Sequence, residues 1–297
     1  KNTLMNKKVS VIGIGRLGLS FALLLGSKGY DVIGCDVNER YIESLKDKSF
    51  TSNEPHINDL LELSTMRFTT KPTEAFNHSE IIFVFVQTPS TEGGSYNHKY
   101  VDQVVDKIIE NEVRDKCIVI GCTVMPRYCE SVSDKLHPLG CEVAYNPEFI
   151  EQGSIIDGLE NADIVLVGAK NVKVRMFLFQ IYKNIMCKTP NFKWLSMTAA
   201  EITKISINCF LTMKIAFANM IGEIAINSHE EKEVALIMDA IGSDSRIGKK
   251  YLNYGFPAGG VCLPRDQKAL NSHAYFAWVH TKFLHAIDDE NNRHLVY

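Results

Sequence analysis

Gly13-Ile14-Gly15-Arg16-Leu17-Gly18 stands between a short apolar run, Val9–Ile14, and an amphipathic segment that reaches about Gly26. No other feature of the 297-residue chain constrains its fold as much. The three glycines have separate tasks. Gly13 permits a tight turn, Gly15 lets the backbone approach a pyrophosphate, and Gly18 lets the following helix pack on the strand. The helix that opens at Arg16 and Leu17 turns unpaired N–H groups and a positive dipole end towards phosphate oxygens. A second apolar run, Asp31–Cys35, ends at Asp36, 18 residues beyond Gly18. A carboxylate there accepts hydrogen bonds from adenosine ribose hydroxyls, and its charge repels a 2′-phosphate. The pattern predicts a cradle for NAD rather than NADP. The bland alternative is a strand–helix–strand unit packed by glycine without a ligand.

The apolar runs continue at Glu80–Val86, Cys117–Gly121, Cys141–Ala144 and Asp163–Val167, with helix-period stretches such as Val101–Glu110 and Pro126–Leu136 between them. Short strands alternating with helices predict an α/β fold whose parallel sheet is covered on both faces. Hydrophobic residues make up 45% and charged residues 23%, the balance of a globular chain rather than a disordered one. A net charge of -3 gives no electrostatic reason to bind nucleic acid or an acidic membrane. No unbroken apolar run approaches the ~18 residues of a spanning helix. The polar opening Lys1–Lys8 lacks the order of a secretion signal. Eight cysteines without a CxxC pair, most of them in apolar segments, predict reduced thiols and a cytoplasmic protein. No His or Cys cluster has metal-ligand spacing, so no metal is expected.

The pattern changes near Leu195, which predicts a Rossmann-type domain over residues 1–195 and a helical domain over 196–297. Thr198 to about Asn227 reads as one long helix, interrupted only by Gly222 and apolar on more than one face. Lys204 and Asn208 share a face of it, four residues apart. They are either donors aimed at a substrate oxygen or an exposed polar stripe, and the pair alone leaves both open. Further on, Gly255-Phe256-Pro257-Ala258-Gly259-Gly260-Val261-Cys262-Leu263-Pro264-Arg265-Asp266 reads as a loop that brings backbone close to a ligand and presents one thiol. A nucleophilic Cys262 needs a nearby positive charge, for which Lys204 and Arg265 are candidates. A buried structural cysteine in a turn is the alternative.

Taken together, these segments resemble the UDP-glucose/GDP-mannose dehydrogenase family over nearly the whole chain. Gln87-Thr88-Pro89 with Gly94 and Asn97 is similar to the family's TP motif, and Cys122-Thr123-Val124-Met125-Pro126 to its STVP segment. Tyr145-Asn146-Pro147-Glu148-Phe149 with Gly153 resembles its NPEF segment. Lys204 with Asn208, Asp244-Ser245-Arg246-Ile247-Gly248, and Cys262 to Asp266 complete the order. The resemblance implies a four-electron oxidation of a nucleotide-sugar C6 hydroxyl to a carboxylate, with NAD as cofactor and UDP-glucose as first substrate. It implies that Asp266 and Lys204 hold the water that takes the alcohol proton. Cys262 would form a thiohemiacetal and then a thioester, Glu148 would be the base for hydrolysis, and Lys204 and Asn208 would stabilise oxyanions. Thr123 would hold water or substrate and, with Thr88 and Pro89, line the cofactor. Phe149, Arg246, Tyr254, Gly255, Gly259 and Gly260 would face the sugar nucleotide. The family also implies a homodimer paired through the long helices.

Three departures from the family pattern stand out. Gln152 replaces an acidic residue frequent four positions after Glu148, and Gly121 precedes Cys122 where a polar residue is frequent. A third, nucleotide-binding domain of about 100 residues or more is expected beyond the last residues. Its absence implies either a truncated chain or a naturally short relative. Two other readings fit the same architecture: a two-electron β-hydroxyacid dehydrogenase, which needs no cysteine, and a non-catalytic NAD-binding dimer. Cys262 and Pro147-Glu148-Phe149 argue against the first, and retention of the whole chemical set argues against the second.

Overall fold

A computed structural model describes residues 7–150 and 153–294. Most of the polar opening and Gln152 lie outside the described residues. The strands are β1 (Lys8–Ile12), β2 (Asp31–Cys35), β3 (Arg67–Thr69), β4 (Ile81–Val84), β5 (Cys117–Ile120), β6 (Glu142–Tyr145), β7 (Val165–Gly168) and β8 (Phe192–Leu195). The helices are α1 (Arg16–Ser27), α2 (Glu39–Lys46), α3 (Ile57–Leu63), α4 (Pro72–His78), α5 (Lys99–Glu110), α6 (Tyr128–Leu136), α7 (Ile155–Glu160), α8 (Val172–Ile185), α9 (Met197–Asn227), α10 (Val234–Ser243), α11 (Cys262–Phe276) and α12 (Lys282–His294).

The strands form one sheet in the order β3-β2-β1-β4-β5-β6-β7-β8. Neighbours are parallel except β6 and β7, which meet antiparallel at Tyr145 and Gly168. Alternate residues of each strand face opposite layers. Val9, Val11, Phe83 and Val119 pack with Phe21 and Leu25 of α1 and Leu178 of α8. Ile12, Ile82, Val84, Ile118 and Ile120 pack with Val101 and Val105 of α5 and Val132 of α6. Burial on both faces is why the central strands read as unbroken apolar runs. Two strands lack that signal: β3 has three residues at one edge, and β8 is half exposed at the other. Chain order reverses beside β1, which pairs with both β2 and β4. A ligand crevice forms at such a switch point, outside the carboxyl ends of the strands. Gly13 to Gly18 follows directly from that end of β1.

The described residues divide into two compact units. One comprises residues 7–89 and 98–201, and the other residues 90–97 and 202–294. The division falls inside α9, six residues beyond the expected boundary, because the first turn of α9 packs on the sheet. A Cβ on Gly168 would lie 2.7 Å from Met197 Cα and 3.0 Å from Ala200 Cβ. The second unit is helical apart from the short 90–97 excursion, which carries an isolated bridge between Ser90 and Tyr96.

At 31 residues and a mean hydropathy of 1.5 over its most apolar window, α9 is long and apolar enough to cross a membrane by length and composition. This differs from the expectation drawn from unbroken runs, because scattered polar residues hide the average. Four of those polar residues, Glu201, Lys204, Thr212 and Asn219, are buried, while Asn208, Lys214 and Glu223 are partly exposed. Gly222, its one interior glycine, makes room for a ring, since a Cβ there would lie 2.1 Å from Tyr254 Cδ2.

Candidate active site

Within the first unit, the glycine turn has the geometry of a cofactor cradle. Gly13 has φ +83°, and its N–H donates to Cys35 O at 2.8 Å. A Cβ there would lie 2.6 Å from Phe85 O, and one on Gly18 would lie 2.0 Å from Gly13 O. Gly15 differs: it is exposed, and nothing lies within 4 Å of where its Cβ would be. Two glycines therefore serve packing, and the middle one keeps the surface open. Gly15 caps α1 without a side-chain hydrogen bond, and the first turn carries no acidic residue. The N–H groups of Arg16, Leu17 and Gly18 thus begin a helix whose positive end nothing acidic in that turn neutralises. Asp36 is half-buried just beyond β2, and its Oδ1 accepts the Asn38 N–H at 3.1 Å. This arrangement fits NAD: N–H groups and a dipole for the pyrophosphate, and a carboxylate at the expected ribose position.

Asp36→Ala is expected to weaken NAD binding by about 1.4–2 kcal/mol, roughly ten- to thirtyfold. It is also expected to narrow the preference over NADP. Calorimetric titration of both cofactors checks this, and an unchanged NAD-to-NADP ratio would contradict the ribose assignment.

Behind the cradle, side chains fix the loops after β4 and β5. Thr88 is buried, and its hydroxyl donates to Thr123 O at 2.7 Å, while Pro89 is exposed. His98 Nε2 accepts the Met125 N–H at 3.1 Å, and its ring stacks on Tyr128 with centroids 3.8 Å apart. Burial pushes His98 down to about 4, so at neutral pH the ring is uncharged and able to accept. Glu201, wholly buried at the start of α9, accepts N–H groups of Arg127 at 2.6 Å and Cys129 at 2.8 Å. It supplies the cap that Arg127, with φ +76°, cannot give α6. Neither His98 nor Glu201 stood out in the sequence. Gly121 has a plain reason: a Cβ there would lie 2.2 Å from the Phe85 ring, leaving no room for a polar side chain.

Glu148 and Phe149 follow β6 and are half-buried. The Glu148 carboxyl contacts the hydroxyl of Tyr182, a wholly buried residue of α8. Burial and the nearby Glu148 hold the Tyr182 phenol well above its ordinary value.

The second unit holds the other group of expected residues. Cys262 is exposed and opens α11, with Val261 as its N-cap. The stretch read as one loop through Asp266 is thus loop only to Val261. Pro264 is compatible with this because first-turn N–H groups have no intrahelical acceptor. Cys262 and Asp266 are four residues apart and share a helix face. Asp266 is 1% exposed. It accepts from Asn208 Nδ2 at 2.7 Å and from the Tyr96 hydroxyl at 2.5 Å. Arg265 lies 5.1 Å over the Tyr96 ring, with its Nε 3.8 Å from Asp266 Oδ1. Burial and Asp266 push the Tyr96 phenol far up, so it remains a donor. Lys204 is buried one turn before Asn208. Gly94 serves this packing, with φ +85° and a would-be Cβ 3.2 Å from Lys268.

Two buried amides pin the glycine segment ahead of Cys262. Asn219 accepts the Gly255 N–H at 2.9 Å and donates to Phe256 O at 3.0 Å. Asn291 accepts the Ala258 N–H at 2.5 Å and donates to Ala258 O at 3.0 Å. The Tyr254 ring packs on Gly222, while Gly255, Gly259 and Gly260 are exposed. Arg246 is also exposed and pairs with Asp244, Nη2 to Oδ2 at 2.6 Å. Ligand atoms of Glu223, Glu290 and His294 converge within 4.8 Å, and Arg293 Nη2 already pairs with both carboxylates, at 2.6 Å from each.

Residues 7–186 match the NAD-binding domain of the UDP-glucose/GDP-mannose dehydrogenase family, and residues 198–293 match its central domain. The chain belongs to this family. A UDP-glucose 6-dehydrogenase from Rickettsia felis is 31% identical over 294 residues, covering 96% of this chain and 64% of the relative. One from Bacillus subtilis is 31% identical over 300 residues, covering 98% of the chain and 64% of that relative. The chain thus spans about 64% of the length of these curated relatives. Among solved structures, a UDP-glucose dehydrogenase from Pyrobaculum islandicum superposes with a TM-score of 0.90 at 26% identity, covering 99% of this chain and 69% of that one. The cofactor of this family's N-terminal domain is NAD, in agreement with the cradle around Gly15 and Asp36.

Proposed function

We propose that the chain carries the chemistry of an NAD-dependent nucleotide-sugar dehydrogenase that oxidises the C6 hydroxyl of UDP-glucose to the carboxylate of UDP-glucuronate. The observation that carries this reading is the network of Asn208, Asp266 and Tyr96 behind the helix face that also bears Cys262. A two-electron dehydrogenase has no use for a thiol presented one turn from a buried carboxylate.

NAD+, when bound, accepts a hydride in each of two half-reactions. The residues of the chain supply the rest. Asp266 and Lys204 hold the water that takes the proton of the C6 hydroxyl in the first half. The Cys262 thiolate then adds to the aldehyde carbon. An S–C bond forms and the carbonyl π pair moves to oxygen. Lys204 and Asn208 stabilise that oxygen: one Asn208 N–H bonds Asp266, and the amide has a second. Loss of the second hydride leaves a thioester on Cys262. Water, activated by Glu148, attacks its carbonyl, the S–C bond breaks, and the thiolate is restored. Thr123 orients water or substrate, with Phe149, Arg246, Tyr254, Gly255, Gly259 and Gly260 along the sugar nucleotide. The start of α11 suits the thiolate, because a helix N-terminus favours negative charge.

The reading includes a cytoplasmic homodimer paired through α9. Phe210, Phe217 and Ile224 repeat every seven residues on that helix and are 58%, 43% and 55% exposed. An apolar stripe of this period suits a second helix. The function is tested by supplying UDP-glucose and a 3-hydroxy acid separately with NAD+. NADH with the sugar nucleotide supports it. NADH with the hydroxy acid alone would replace it with the two-electron reading.

A further inference from the structure

Asn291 and Asn292 stand side by side near the end of α12, the first 5% exposed and the second open to solvent. Burying an amide is costly unless its polar atoms are paired. Asn291 pairs both of them with a single residue. Its Oδ1 accepts the Ala258 N–H at 2.5 Å, and its Nδ2 donates to Ala258 O at 3.0 Å. Ala258 is itself buried, so both bonds are shielded from water. Helix α12 offers a firm base for this grip. Gln267 Nε2 of α11 donates to Leu284 O at 3.0 Å, and Arg293 Nη2 lies 2.6 Å from Glu223 Oε2 of α9. Asn291 lies between these two ties.

Cys262 stands midway between two anchorages. Four residues before it, Ala258 is held by Asn291. Four residues after it, Asp266 is held by Asn208 and Tyr96. Gly259, Gly260 and Val261 span the first gap, and all three are exposed. Neither glycine has a side chain to pack, and Gly260 has φ +73°. Val261, the N-cap of α11, supplies no side-chain hydrogen bond. This span cannot by itself fix the start of the helix. We infer that Asn291 is a positioning residue for Cys262. By holding both backbone polar groups of Ala258, it fixes the opening of α11 and so the direction in which the thiol is presented.

The inference rests on the reading of Cys262 as the nucleophile of the second oxidation. It makes Asn291 selective between the two half-reactions. Removal of the first hydride needs no thiol and tolerates a loosened opening of α11. The anchorage of Asp266 does not depend on Asn291, so that carboxylate stays in place. Attack on the aldehyde carbon is less tolerant, because a displacement of about 1 Å can cost about a hundredfold in rate.

The test compares Asn291→Ala with Asn292→Ala in the whole chain. Alanine is the strongest helix former, so α12 persists in both. Asn291→Ala is expected to lower kcat for conversion of the C6 aldehyde of UDP-glucose to the acid by about ten- to a hundredfold. KM and the alcohol-to-aldehyde rate should stay within about twofold. Asn292→Ala should match the parent in both steps. Asn291→Asp has the same size, keeps the acceptor for the Ala258 N–H and loses the donor to Ala258 O. It is expected to show the same selective loss, and it serves if the alanine variant does not fold. Equal slowing of both half-reactions, or an unchanged second step, would overturn the inference. Alkylation with iodoacetamide supplies a readout independent of turnover. Cys187 is also exposed and lies in the other unit, so it serves as an internal reference. At neutral pH, alkylation of Cys262 relative to Cys187 is expected to slow by about three- to tenfold in Asn291→Ala, because a frayed first turn no longer turns ordered N–H groups to the thiolate. A ratio equal to that of the parent would overturn the inference. A parent that makes no NADH counts against the proposed function and leaves the alkylation result decisive.

Discussion

Cys262→Ser is expected to leave the first oxidation running and to stop the second, with acid formation falling by about 10³-fold or more. The reason is electronic rather than structural. A serine hydroxyl is almost entirely protonated at neutral pH and adds poorly to an aldehyde, whereas the thiolate is the reactive form of cysteine. The side chain is exposed at the opening of α11, so the change removes little buried contact. The Asn208–Asp266–Tyr96 network four residues on should persist. Trapping the aldehyde with a hydrazine and quantifying acid by mass spectrometry separates the two steps. Acid made at the parent rate would refute the covalent scheme.

The second large effect separates the glycines of the cradle. Gly18→Ala is expected to abolish measurable NAD binding, a loss of more than about a hundredfold, and to destabilise the fold by about 1–3 kcal/mol. The added carbon would sit 2.0 Å from Gly13 O, and backbone cannot swing aside as a flexible side chain can. Helix α1 must then move off the turn that aims its N–H groups. Gly15→Ala places its carbon in open space. It should leave the melting temperature within a degree or two and weaken only the cofactor. Thermal melts with NAD titrations distinguish the two, and equal melting shifts would show that the cradle is packed differently.

These contrasts mark what the sequence could reveal. The glycine turn, Asp36, and the Lys204 and Asn208 spacing act through local geometry, so their pattern survives in one dimension. The central strands were legible because each is buried on both faces, whereas β3 and β8 lie at edges and lack that signature. The start of α11 was obscured by the glycines before it, although Pro264 is compatible with a first turn. Tyr96, Tyr182, Glu201 and the asparagines 219 and 291 were not legible, because each works through a partner distant in sequence. Tyr96 and Asp266 are 170 residues apart. A tyrosine or asparagine in such a position has no local pattern to announce it. Only tertiary structure shows that its polar atom is the one meeting the carboxyl of Asp266 or Glu148, or pinning a loop.

The central claim is that one chain removes four electrons from one alcohol carbon with the help of Cys262. The most direct measurement counts NADH formed per UDP-glucose consumed, with NAD+ in excess and the sugar nucleotide limiting. The account predicts two NADH per sugar and one UDP-glucuronate. One NADH per sugar, with the aldehyde as the end product, would contradict it.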